Sequence, residues 1–166
     1  MRIDWNRYGP PGLEIITERN YFLGGLGLSG VFSLGYLFKL AGEISDLYYY
    51  DGKEKILREG VVMPDFVEVL GNSLTGFWIL CLCMLAVAAY HYASHWQGSK
   101  SIYLMRRLPK RMEMHRRCLT LPAVGVVVSV IAAFLVMVIY YGIYMLAVPE
   151  ECLAPWQWQK IWAAIF

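Results

Sequence analysis

Three long apolar runs, separated by polar stretches of very different character, set the plan of the chain. They are Tyr21–Leu40, Ser73–Tyr92 and Leu121–Val148. The first two are about twenty residues each and the third about twenty-eight, where a helix needs roughly 20 to cross a hydrocarbon core. The third run has no charged residue and exceeds a bilayer core, so it must tilt or project beyond it. In the first, Lys39 stands at the far end and snorkels to the interface. Before it, Gly9-Pro10-Pro11-Gly12 is a break, and Leu13–Asn20 reads as one or two helical turns lying on the membrane. Trp5, Tyr8, Leu13, Ile15 and Ile16 supply its apolar anchors. A signal peptide is the competing reading, but Glu14 and Glu18 precede the run and Lys39 interrupts it, which favours an uncleaved segment. Between the first two runs lies a polar connection with a turn at Asp51-Gly52 and a short amphipathic helix over Met63–Leu70. The tail, with Trp156, Trp158 and Trp162, reads as an interfacial helix or as a segment that docks on another subunit.

The expected fold class is therefore all-α: a polytopic membrane protein with three transmembrane helices and interfacial amphipathic helices at both ends. The expected segments are an interfacial stretch 1–20, a span 21–40, an acidic loop 41–72, a span 73–92, a basic loop 93–120, a span 121–148 and a Trp-rich tail 149–166. Composition agrees. A soluble domain is about one quarter charged, and this chain is 17% charged and 58% hydrophobic. Six Trp and twelve Tyr suit membrane–water boundaries. Cys81, Cys83, Cys118 and Cys152 make no disulfide or metal framework, since Cys81 and Cys83 point to different faces of one helix; they read as small hydrophobes.

The net charge of +2 conceals an uneven distribution. Seven of the fifteen Lys and Arg residues fall in Gln97–Leu119, where Glu113 is the only acid. The connection Ala41–Asn72 instead holds Glu43, Asp46, Asp51, Glu54, Glu59, Asp65 and Glu68 against Lys53, Lys55 and Arg58. Basic loops stay in the cytoplasm. This predicts a cell-membrane protein with a cytoplasmic N-terminus, which carries Arg2, Arg7 and Arg19, and an external C-terminus. A basic segment between spans is a topology signal beside anionic lipid, so lipid rather than nucleic acid is the expected partner. The carboxylates of the acidic loop fit no metal-binding loop and read as solvated surface.

Candidate sites are few. Gly25, Ser29 and Ser33 repeat a small-xxx-small spacing, as do Gly125, Ser129 and Ala133, which suggests that the first and third spans pack together. His91 and His95 stand four apart at the end of the second span. That spacing can hold a metal, and one of these histidines could ligate haem in a redox anchor. No third ligand is evident, HEXXH is absent and Tyr90, Tyr92 and Trp96 surround the pair, so they read as interfacial histidines; no cofactor is expected. Gly98-Ser99-Lys100-Ser101 lacks the spacing of a phosphate-binding loop. Ser99, Ser101 and His115 have no supporting carboxylate beyond Glu113, so no catalysis is expected.

The basic loop reads Ser99-Lys100-Ser101-Ile102-Tyr103-Leu104-Met105-Arg106-Arg107-Leu108-Pro109-Lys110-Arg111, with Arg116 and Arg117 beyond. Preceded by an interfacial segment, a span, an external loop and a second span, it resembles the front half of ABC-2-type transporter permeases, over roughly residues 1–145. The resemblance implies an elbow helix at the N-terminus and a coupling helix in the loop that docks on an ATPase. Lys100, Ser101, Tyr103, Arg106, Arg107, Leu108, Pro109, Lys110, Arg111, Arg116 and Arg117 would carry that docking. A full permease of the family has six spans, so a second membrane subunit or a second copy of this chain is implied. No charge within the apolar runs marks a polar pathway, which favours a lipid-like or amphipathic substrate over an ion. The alternative reading is a small accessory or scaffold membrane protein.

Overall fold

A computed structural model describes residues 15–51, 54–58, 60–97 and 111–165. The fold is essentially all-α. Its elements are α1 Ile15–Ser33, α2 Gly35–Asp46, β1 Tyr48–Asp51, β2 Glu54–Leu57, α3 Phe66–Leu70, α4 Thr75–Gln97, α5 Arg111–Ala147, a 3-10 turn Glu150–Cys152 and α6 Gln157–Ile165. Three stretches are long and apolar enough to cross a membrane: Ile16–Asp46, Thr75–Ala93 and Cys118–Ala147. The chain is a multi-pass membrane protein, and apolar side chains of these stretches, such as Leu28, Phe38, Leu82 and Leu146, are exposed, consistent with contact to lipid.

The first stretch begins earlier than the apolar run, because α1 runs unbroken from Ile15 through Asn20 into the span. It breaks once, at Leu34, between Ser33 and Gly35. There the ladder tightens to three-residue bonds, Leu34 N–H to Val31 O at 3.1 Å and Leu37 N–H to Leu34 O at 3.0 Å. Ser33 Oγ also donates to the Gly30 carbonyl at 2.7 Å, and a Gly/Ser neighbourhood is a recognised place for a helix to bend.

The chain divides into two compact units, Met1–Ser29 with Gly76–Ala132 and Gly30–Thr75 with Ala133–Phe166. In the first, backbones approach closely where side chains are small. A Cβ on Gly25 would stand 2.8 Å from Leu80 Cδ1, one on Gly76 would stand 3.1 Å from Ser29 Cα, and one on Gly125 would stand 2.5 Å from Met84 Cε. Ser29 and Ser129 are buried, and each donates its hydroxyl to the carbonyl one turn back, Gly25 O and Gly125 O, both at 2.8 Å. A serine that satisfies itself this way fits an apolar helix contact without a partner.

The second unit has an aromatic core. Tyr36, Phe66 and Tyr144 are fully buried. Tyr36 stacks on Tyr140 at 4.5 Å, and the Phe66 ring takes the edges or faces of Tyr36, Tyr141 and Tyr144 at 6.0, 5.4 and 5.7 Å. Each hydroxyl finds an acceptor: Tyr36 the Tyr140 carbonyl at 3.3 Å and Tyr144 the Pro64 carbonyl at 2.8 Å, while Tyr140 shares a hydrogen bond with Ser33 Oγ at 2.9 Å. An antiparallel hairpin, absent from the sequence expectation, pairs Tyr48 with Leu57 and Tyr49 with Ile56. Arg58 N–H extends it to Leu47 O at 2.9 Å. Helix α3 is shorter than the expected Met63–Leu70, since Pro64 and the extended Asp65 hold the chain out of helix until Phe66. It ends at Gly71, whose φ of 45° favours glycine, and Lys39 Nζ donates to the Glu68 carbonyl beside that end.

Candidate functional site

The described polar side chains gather at two places, one in each unit. In the first unit, His91 on α4 is fully buried. Its Nδ1 lies 3.1 Å from the Cys118 carbonyl of α5 and its Nε2 lies 2.9 Å from Glu18 Oε1 of α1. The local reason is in α5. Pro122 has no N–H, so the carbonyl four residues earlier, that of Cys118, is left without its helical donor. His91 supplies one. An orphan carbonyl in an apolar helix would otherwise cost several kcal/mol, of the order given for unsatisfied groups in lipid. Nearby, Tyr92 Oη meets His115 Nδ1 at 3.1 Å and Thr120 Oγ1 bonds back to the Arg116 carbonyl.

His91 stands near the end of the second span, as expected, with its ring buried and both of its nitrogens engaged. With Nε2 against a carboxylate, the ring does not offer a nitrogen to haem. The side chain of His95 lies outside the described residues. Among the described residues no three His, Cys, Asp or Glu side chains are grouped to hold a metal ion. Glu18 and Arg19 fall within the helical stretch Ile16–Asp46, just before the apolar run Tyr21–Leu40.

In the second unit the tail is fastened to the connection before α3. Lys160 Nζ reaches Asp65 Oδ1 and Oδ2 at 2.7 and 2.8 Å, and Gln157 Nε2 donates to Asp65 Oδ1 at 3.1 Å. Gln157 Oε1 in turn accepts the Phe66 N–H at 3.0 Å, and Met63 N–H donates to the Cys152 carbonyl at 3.0 Å. The hydrogen bond from Lys160 holds the Asp65 carboxyl below its ordinary range; partial burial opposes this and the Gln157 amide adds to it. Asp65 is thus part of a network rather than the solvated carboxylate expected. On the other side of α6, Trp158 meets Tyr141 at 5.3 Å and Trp162 at 6.0 Å, and Trp158 and Trp162 remain exposed.

The small-residue positions divide. Gly25 and Gly125 meet Leu80 and Met84, both on the second span, whereas Ser33 bonds to Tyr140 of the third. Ser29 lies against Gly76, Ser129 is buried within its own helix contact, and Ala133 is half-buried. Of the docking residues, Lys100, Ser101, Tyr103, Arg106, Arg107, Leu108, Pro109 and Lys110 lie outside the described residues. Arg116 is exposed on α5. Arg111 and Arg117 occupy places on the same helix, and nothing beyond those places is described.

Comparison of the chain with protein-family models, with curated proteins and with solved structures gives no match. The reading of function rests on the residues themselves. Sequence reasoning missed both networks, and only the first left a trace, a proline one helical turn after Cys118.

Proposed function

We propose that the chain is the membrane subunit of an ABC-type transporter, coupling a cytoplasmic ATPase to movement in the membrane through its basic loop. The observation that supports this reading is the single helix Arg111–Ala147, which carries Arg111, Arg116, Arg117 and the third span in one piece. A push on the basic segment would be passed along that helix to the span, through the turn at Pro122 where His91 supplies the missing donor to the Cys118 carbonyl. In the sequence that helix is preceded by the residues that resemble the coupling loop of ABC-2 permeases, Ser99–Arg111. On this reading the chain sits in the cell membrane with its N-terminus cytoplasmic and its C-terminus external, and completes a transporter with a second membrane subunit or another copy of itself. The two networks described above hold the spans and loops in place.

Gentle-detergent purification from the native membrane, with mass spectrometry of everything that copurifies, tests the proposal. A stoichiometric ATPase is the expected result. Replacing Arg106, Arg107, Lys110 and Arg111 together with Gln, while Arg116 and Arg117 stay, should release that ATPase and leave membrane orientation unchanged. Recovery of the chain without an ATPase would overturn the reading and leave the small accessory or scaffold protein in its place.

A further inference from the structure

We propose that Glu18 and His91 form a proton-binding site whose occupied state clasps α1, α4 and α5 together. The argument is one of hydrogen-bond roles. The Cys118 carbonyl can only accept, so the Nδ1 that stands 3.1 Å from it carries a hydrogen. The other nitrogen, Nε2, stands 2.9 Å from Glu18 Oε1. A bare ring nitrogen and a bare carboxylate are both acceptors and make no bond. One proton therefore lies between them, on the ring as imidazolium facing glutamate or on the acid facing a neutral ring. Both arrangements are neutral overall, which suits a site where the ring is fully buried and the carboxyl largely so.

Removing that proton leaves a carboxylate opposed to a lone pair with little water to solvate either. The contact between α1 and α4 then opens, and the Cys118 carbonyl keeps its donor only if the ring stays in place. The sign follows. The clasped state binds one proton more than the opened state, so its stability falls as pH rises. The titratable and charged residues nearest the pair in sequence, among those whose side chains are described, are Arg19 and Tyr21 on α1, Tyr90 and Tyr92 on α4, and His115, Arg116 and Cys118 on α5. His115 is occupied by Tyr92, and the Tyr90 ring lies 6.5 Å from that of His91. The Cys118 residue is buried and contributes its carbonyl. This site stands independently of the transporter reading, since none of its geometry involves the ATPase-docking residues.

The experiment uses the full chain in detergent micelles, with the thermal midpoint followed from about pH 6 to about pH 9. The wild-type midpoint should fall by roughly 3 °C or more across that range. In Glu18→Gln the amide N–H donates to a neutral Nε2 without any titrating proton, so the midpoint should lose that pH dependence while staying near the wild-type value at low pH. Glu18→Ala should lower the midpoint at every pH. A Glu18→Gln variant that keeps the wild-type slope would overturn the proposal. As a check that needs no variant to be as stable as wild type, ¹⁵N-histidine NMR of the wild-type protein should show one ring, absent from His91→Asn, with Nδ1 protonated throughout. Finding that Nδ1 unprotonated would equally overturn it.

Discussion

The two units of this membrane protein are closed by different chemistry. The first is held where glycines let backbones approach, with Gly76 against Ser29 and Gly25 against Leu80, and by one buried chain of hydrogen bonds through His91. The second is filled by large rings whose hydroxyls are spent on backbone carbonyls, and its tail is tied to the connection by Asp65, Gln157 and Lys160. Between apolar helices in lipid, burying more apolar surface gains little, so close contact and satisfied polar groups decide the packing. Where the span residues Tyr36, Tyr140 and Tyr144 meet Phe66 of the connection, large rings fill the space and each hydroxyl needs a partner.

If that contrast is right, truncating a ring in the second unit is the most damaging single change. Phe66→Ala removes the residue on which three tyrosines converge, and should destabilise the unit by about 3–5 kcal/mol. Protease sensitivity of the 41–72 connection would report it, and a variant as resistant as wild type would remove Phe66 from the centre of the core. In the first unit the sensitive change runs the other way, toward larger residues. Gly76→Ala drives a methyl toward the Ser29 backbone and should cost about 1–3 kcal/mol. Gly25→Ala should cost less, because its obstacle is the movable end of Leu80. Thermal midpoints in detergent that ranked the two in reverse would break the close-contact account. Smaller again is Tyr144→Phe, which keeps the ring but orphans the Pro64 carbonyl, at about 1 kcal/mol.

What the sequence makes legible is set by distance along the chain. The three spans are local apolar runs, and they are where the apolar pattern puts them, apart from the earlier helical start at Ile15. The turn at Asp51-Gly52 is legible but the hairpin around it is not expected, although aromatic residues before Asp-Gly and Glu-Lys-Ile-Leu soon after are a strand–turn–strand signal. The clasp was invisible because Glu18 and His91 are 73 positions apart and nothing in either segment names the other. Pro122 was a readable clue, since it orphans a carbonyl and so requires a donor from elsewhere. Asp65 and Lys160, 95 positions apart, left no comparable clue, and a lone acid in an acidic loop is indistinguishable from solvated surface.

The weakest tie offers the sharpest comparison. Asp65 and Lys160 are both partly exposed, so their ion pair should add only about 0–1 kcal/mol at neutral pH. Its pH dependence is opposite in sign to that proposed for the Glu18–His91 clasp. Because the carboxyl is held below its ordinary value, its contribution is fully present above about pH 4 and is lost as pH falls through the lowered value. Lys160→Met removes the main cause of the lowering and should therefore shift acid loosening of the tail to higher pH. Fluorescence of the Trp158–Trp162 pair against pH, measured alongside Trp158→Phe and Trp162→Phe controls to isolate its signal, reads that loosening. Identical acid transitions in wild type and Lys160→Met would show that the ion pair does not hold the tail, which would then rest on Gln157, the Met63–Cys152 hydrogen bond and the Trp158–Tyr141 contact.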